Sequence, residues 1–189
     1  MLMSKATYFN NQLIIAMPGL TDPDFFHSVV YLCKHNEAGA LGLVVNRLTE
    51  IKLGEVFTQM NIPVASPTTS EIAVFSGGPV QQEHGFVLHT RGGSWDATMD
   101  VSATVSLTSS RDVIEAIAIG EGPEKFLVAL GYAGWGEGQL EQEILANAWL
   151  NTPYSKDVLF DAPINMRWQK AGKQIGIDIN QLTTLAGHA

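Results

Sequence analysis

A single cysteine, Cys33, is all the thiol this sequence offers. One thiol excludes an internal disulfide framework and a four-cysteine zinc site. Basic residues are scarce as well: 11 Lys and Arg stand against 19 Asp and Glu, for a net charge of −8. Duplex nucleic acid is held largely by Lys and Arg that neutralise phosphates, so this chain would have to gather its few bases on one face. The best cluster, Arg167, Lys170 and Lys173, is a small patch at helical spacing that Arg91 and Arg111 would have to join. Nucleic-acid binding is therefore disfavoured. Long apolar runs are missing too. The longest, Phe126 to Trp135, is broken by Gly131 and Gly134 and is too short to span a bilayer. Met1-Leu2-Met3-Ser4-Lys5 leads into Asn10-Asn11-Gln12 instead of an apolar stretch, so no export signal is expected and the cytoplasm is the default address.

What is present fits one globular unit. The 189 residues are 46% hydrophobic and 16% charged, and a domain of this size buries about 70% of the surface its unfolded chain exposes. Strands are predicted at residues 13–17, 28–35, 40–46, 72–76, 86–90, 103–107, 125–132 and 157–161, with His35 to Gly39 a hairpin loop. Leu53, Val56, Phe57 and Met60 recur at helical spacing and mark one face of a helix. A second helix is expected to open at Ser109 with Asp112 in its first turn and to stop at Gly120, and a third to run from Gln139 to Ala148. The stretch 61–70 reads as a loop. Strands come in adjacent pairs, so antiparallel pairing should dominate. The expected fold is α+β: one mainly antiparallel β-sheet with three or four packed helices. It forms a single compact domain over 1–189, with an ordered core at about 11–165 and a looser C-terminal tail.

Three segments carry a resemblance. Met17-Pro18-Gly19-Leu20-Thr21-Asp22-Pro23-Asp24-Phe25-Phe26-His27-Ser28 runs on to Gly39-Ala40-Leu41-Gly42-Leu43-Val44-Val45-Asn46-Arg47. Ser76-Gly77-Gly78-Pro79-Val80 is followed by Gly85-Phe86-Val87-Leu88-His89, and Gly131-Tyr132-Ala133-Gly134-Trp135-Gly136-Glu137-Gly138-Gln139 ends at Asn147-Ala148-Trp149-Leu150. Together they resemble the YqgE/AlgH family over roughly residues 11 to 165. The resemblance implies a bacterial, cytoplasmic protein of α+β fold, and the family's name carries an association with transcriptional regulation. It brings no catalytic residues to transfer.

Several constellations invite chemistry. The glycine-rich turn 131–138 follows an apolar strand and opens a helix, where phosphates are often held. Its spacing matches neither dinucleotide nor Walker loops, however, and Glu137, Glu141 and Glu143 crowd the helix start. A structural turn is the better reading. Asp22, Asp24 and His27 read as a turn cap before they read as a metal triplet. His84 and His89, five apart, point to opposite faces of a strand and cannot share an ion. Cys33 and His35 share a strand face by parity, which leaves a Cys–His nucleophile open beside the simpler reading of a buried thiol.

Two surfaces remain. Gly77-Gly78-Pro79 is a sharp turn whose backbone could approach a ligand closely. Asn46-Arg47 ends one expected strand and His89 another, and strand ends converging on one rim would suit a small acidic or polar ligand. Trp135, Gln139 and Glu141 form the other surface, with Trp135 either capping the core or, if exposed, anchoring an interface. No metal or cofactor is expected. The preferred function is a binding or regulatory module acting through contacts with a partner protein, as a monomer or homodimer. The alternative is a hydrolase-like enzyme around Asn46, Arg47, Gly77, Gly78 and His89, and the third is direct DNA binding.

Overall fold

A computed structural model describes residues 7–185. In chain order it contains β1 (Gln12–Ala16), β2 (Val29–Asn36), β3 (Gly39–Val44), β4 (Leu48–Lys52), α1 (Leu53–Gln59), α2 (Pro67–Ser70), β5 (Ala73–Ser76), β6 (Val80–Thr90), β7 (Thr98–Asp100), β8 (Val105–Thr108), α3 (Arg111–Ala118), β9 (Phe126–Trp135), α4 (Gln139–Leu145), β10 (Trp149–Pro153), α5 (Arg167–Lys173) and α6 (Ile179–Leu185). The strands run β10-β1-β2-β3-β9-β6-β8-β7, with β4 and β5 attached beside β9. All pairings are antiparallel except β5 with β9. β9 is the hub: β3 and β5 share one of its edges and β6 takes the other. The apolar composition of this strand follows from its place, because it is covered on both faces.

Side-chain alternation divides the core between the two faces. Leu13, Ile15, Val29, Tyr31, Leu127 and Ala129 enter the largest cluster, which Val158, Leu159, Trp168 and Ala171 close from one side. On the other face α1 and α3 cover Val87 and Val128 through Leu53, Phe57, Val113, Ile114 and Ile117. Farther along, Leu140 of α4 packs on Ile14, Val30, Leu32 and Trp135. The mainly antiparallel sheet and single domain agree with the sequence reading. The helices outnumber the three or four expected, since segments as short as α2 are counted.

Local expectations are corrected at several points, and the stretch 61–70, read as a loop, ends in the short helix α2. Residues 157–161 form a π-helical turn. Its Val158 and Leu159 are buried as strand residues would be, but the Ser155 hydroxyl accepts the Val158 amide and starts a turn. In β2, a bulge between Leu32 and Lys34 breaks the parity that placed Cys33 with His35. Cys33 joins the largest cluster, while His35 faces Glu141 of α4, so the two do not meet. Residues 48–52, 98–100 and 149–153 are strands that the sequence reading passed over. The third helix of that reading stops at Leu145, and the second opens one residue later than expected, at the N-cap Ser110.

The glycine turns interlock. Gly77 donates its amide to Leu130 O and accepts the Val44 amide, each at 2.8 Å. A Cβ on Gly77 would stand 2.3 Å from Gly131 O, and one on Gly78 would stand 2.2 Å from the carbonyl carbon of Tyr132. The Gly77-Gly78-Pro79 turn is thus pressed flat on β9. Just beyond it, β6 pairs Val80 with Tyr132 and then Gly85 with Leu130. Gln81, Gln82, Glu83 and His84 therefore stand opposite Gly131 alone, as an exposed bulge within β6.

Candidate functional site

Of the rim residues read from the sequence, Asn46, Arg47 and the Gly77-Gly78-Pro79 turn do lie together, joined by a 2.9 Å hydrogen bond from the Ser76 amide to Arg47 O. Their groups are occupied by the fold. The Asn46 side chain accepts the Val29 amide and donates to His27 O, both at 2.8 Å. That clamp holds His27 at φ 53, stacked between Phe26 and Trp168. The Arg47 guanidinium donates to the carbonyls of Pro23, Asp24 and Phe26 and ties down the same turn. Gly77 and Gly78 are buried, and Pro79 is half-buried.

His89 lies elsewhere. It sits beside Phe126 on β9, whereas Ser76 sits beside Leu130, a separation of about 13 Å along the strand. Its Nδ1 donates to Thr90 O and its Nε2 meets Thr108 Oγ1, both at 2.8 Å. Burial holds its pKa below the usual histidine value. With Arg91, Trp95, Thr98, Asp100 and Ser106 it lines a small polar cavity of about 260 Å³. Arg91 pairs with Asp100, which also accepts the Ser106 hydroxyl, so the polar groups of this cavity largely satisfy one another.

Trp135 is buried, and its indole Nε1 donates to Glu143 Oε2 at 2.8 Å. Trp149 donates to the same oxygen at 2.9 Å, and Gln139 donates to Glu143 Oε1 at 3.0 Å. Gln139 in turn accepts the Gly136 amide. One carboxylate therefore pins two indoles and the turn that carries them, and Trp135 caps the core. Neighbouring Glu141 accepts Nε2–H of buried His35 at 2.8 Å, while His35 Nδ1 accepts the Phe9 amide.

The basic residues do not gather. Arg167 is buried over Phe75 and donates to Val45 O and Ala162 O. Burial lowers its pKa to about 10. Lys170 pairs with Asp157, Arg91 with Asp100 and Arg111 with Glu115. Burial drives the Cys33 thiol far above the usual cysteine range, which leaves it protonated and inert. Asp22 accepts the Asp24 amide as a turn cap. Among the described residues no group of three His, Cys, Asp or Glu is placed to hold a metal ion, and no helix is long and apolar enough to cross a membrane.

A second concavity, larger than the one at His89, was not foreseen from the sequence. It is a groove of about 700 Å³ between α1, the start of α3 and the β6 bulge. Its floor is apolar: Ile51, Val56, Met60, Val87, Ile114, Val128 and Leu130. Glu55 and Gln59 on α1, Gln82 to Gly85 on β6 and Ser109 to Arg111 make the lips. The size and lining are those of a site for a small ligand or a short peptide. The sequence held one signal. Val56 and the C-cap residue Met60 continue the apolar face of α1, yet they remain half-exposed while Leu53 and Phe57 are buried, so that face is wider than the core it covers.

The chain resembles known proteins along nearly its whole length. Residues 13–180 match the AlgH-like family model, DUF179. A UPF0301 protein of Thioalkalivibrio sulfidiphilus is 53% identical over 187 residues, 99% of this chain and 100% of that one. One of Methylococcus capsulatus is 48% identical, covering 98% of each. The solution structure of the AlgH protein from Pseudomonas aeruginosa superposes with a TM-score of 0.80 at 44% identity, covering all of both chains. A crystal structure from Corynebacterium diphtheriae, at 19% identity and a TM-score of 0.73 over 96% of this chain and 94% of that one, shares the fold. This chain belongs to the AlgH-like family.

Proposed function

We propose that the protein is a binding module that receives part of a partner protein in the groove between α1, α3 and the β6 bulge. The observation that carries this reading is the apolar floor. Seven aliphatic or thioether side chains from five elements converge there, and Val56, Met60 and Leu130 stay half-exposed beneath an open mouth. Apolar surface left uncovered and rimmed by polar groups marks an interaction site. A catalytic reading has less support, because His89 is remote from the Asn46–Gly78 rim and both its ring nitrogens are engaged. General acid–base chemistry needs its groups in contact.

Gly85 provides the means of testing the groove without disturbing the fold. It is exposed on the groove lip, and a Cβ built there meets nothing within 4 Å. Gly85→Trp should fill the mouth and leave the melting temperature close to that of the wild type. Affinity capture from lysate with each protein, read by mass spectrometry, then decides. Partners held by the wild type should be lost from Gly85→Trp. The same partners on both would overturn the assignment.

A further inference from the structure

The groove has a built-in peptide ledge. β6 runs from Val80 to Thr90, but β8 covers its outer edge only from Val87 to Thr90, because the chain leaves β8 after Thr108 to start α3. Among the described residues no strand pairs with that edge over Gln82 to Phe86, and Gln82 to Gly85 line the groove. An uncovered strand edge of this kind is a template on which another extended segment can pair.

The lips also carry a sign. Glu83 stands exposed on the bulge and makes no ion pair among the described residues. Glu55 faces it across the groove from α1, one of its oxygens accepting the Lys52 amide. The guanidinium on the rim, Arg111, already donates to Glu115 at 2.5 Å. The mouth is therefore acidic in a chain whose net charge is −8. An acidic partner would meet uncompensated like charge, while a basic one would meet complementary charge.

Resting on the binding reading above, we infer that the occupant is an extended segment of a partner protein that alternates apolar side chains with Lys or Arg. It lies along the free edge of β6 at Gln82–Phe86. Period-two alternation sends the apolar residues into the floor and the basic ones to the other side, near exposed Glu83, while Glu55 adds to the acidic field of the mouth and the peptide backbone pairs with β6. The uncovered stretch has room for about five residues.

The probes are three labelled hexapeptides read by fluorescence anisotropy against the full chain: alternating valine and lysine, alternating valine and glutamate, and the valine–lysine peptide N-methylated on alternate amides. The valine–lysine peptide should bind about tenfold or more tightly than either of the others. Rising salt should weaken it, and Gly85→Trp should abolish it. Glu83→Lys should reverse the charge preference. Equal binding of the lysine and glutamate peptides overturns the charge assignment, and full binding of the N-methylated peptide overturns strand pairing. Octylammonium binding as tightly as the lysine peptide would show a small-amphiphile site. If all three peptides fail while lysate capture still depends on the open groove, the partner chemistry is wrong and the binding reading stands. If capture also ignores Gly85→Trp, both fall.

Discussion

Replacing Glu143 tests how the Trp135 turn is held. Its carboxylate accepts three hydrogen bonds: two from indoles on Oε2 and one from Gln139 on Oε1. Glu143→Gln offers a single oxygen. Turned towards the indoles, it sets its amide against the Gln139 donor, whose own oxygen is already engaged by the Gly136 amide. The two indole bonds then change from charge-assisted to neutral, which roughly halves them, for a loss of about 1–3 kcal/mol. Glu143→Ala strands both indole N–H groups. Trp149 is 1% exposed and Trp135 6%, and each stranded buried donor costs about 1–3 kcal/mol, or about 2–6 kcal/mol for the two. That is a large share of the roughly 5–15 kcal/mol that stabilises a typical domain. Urea unfolding followed by tryptophan fluorescence should rank wild type above Gln above Ala, with Glu137→Gln on the same turn within about 0.5 kcal/mol of wild type. An Ala variant as stable as the wild type would refute the pinning role.

Other perturbations have equally definite outcomes. Gly78→Ala, at φ +150 with a Cβ 2.2–2.4 Å from the backbone of Tyr132 and Ala133, should cost about 2–6 kcal/mol from backbone strain and overpacking together. Gly85→Ala should cost at most about 1 kcal/mol in the same urea titration. His89 is held by burial below the ordinary histidine pKa of 6.5. The unfolded chain therefore takes up that proton first, so the stabilisation is complete above pH 6.5 and declines as pH falls from there towards the folded value. Denaturation midpoints measured between about pH 7 and 5 should fall, and the fall should be shallower in His89→Gln. Arg167→Lys should destabilise although charge is kept, because an ammonium cannot span Val45 O and Ala162 O while stacking on Phe75. Thermal melts would check it.

Much of the framework is legible in the sequence because short-range pattern decides it. Apolar, β-branched runs became the strands around β9, and Gly120, at φ 80, ends α3 as read. The misreadings have long-range causes. A one-residue bulge in β2 sent His35 to the face opposite Cys33, and no local pattern marks where a neighbouring strand slips register. Val158 and Leu159 are as apolar as strand residues, and the turn around them is fixed by α5, whose Arg167 side chain holds Ala162 O. Asn46, Arg47, Gly77 and Gly78 stood out for their chemistry, yet they brace the Asp22–Ser28 turn and β9. The groove is assembled from α1, α3 and a four-residue bulge that only the pairing of β6 with β9 reveals. Two of its seven floor residues, Val56 and Met60, were indistinguishable from an ordinary helix face.

The most direct measurement of the groove's role is photo-crosslinking in living cells, with a benzoylphenylalanine at position 85 on the groove lip or at position 37 in the exposed β2–β3 loop. A groove that receives a partner protein should give a discrete covalent adduct with it from position 85 and none from position 37. The same adducts from both positions, or adducts from position 37 alone, would contradict it.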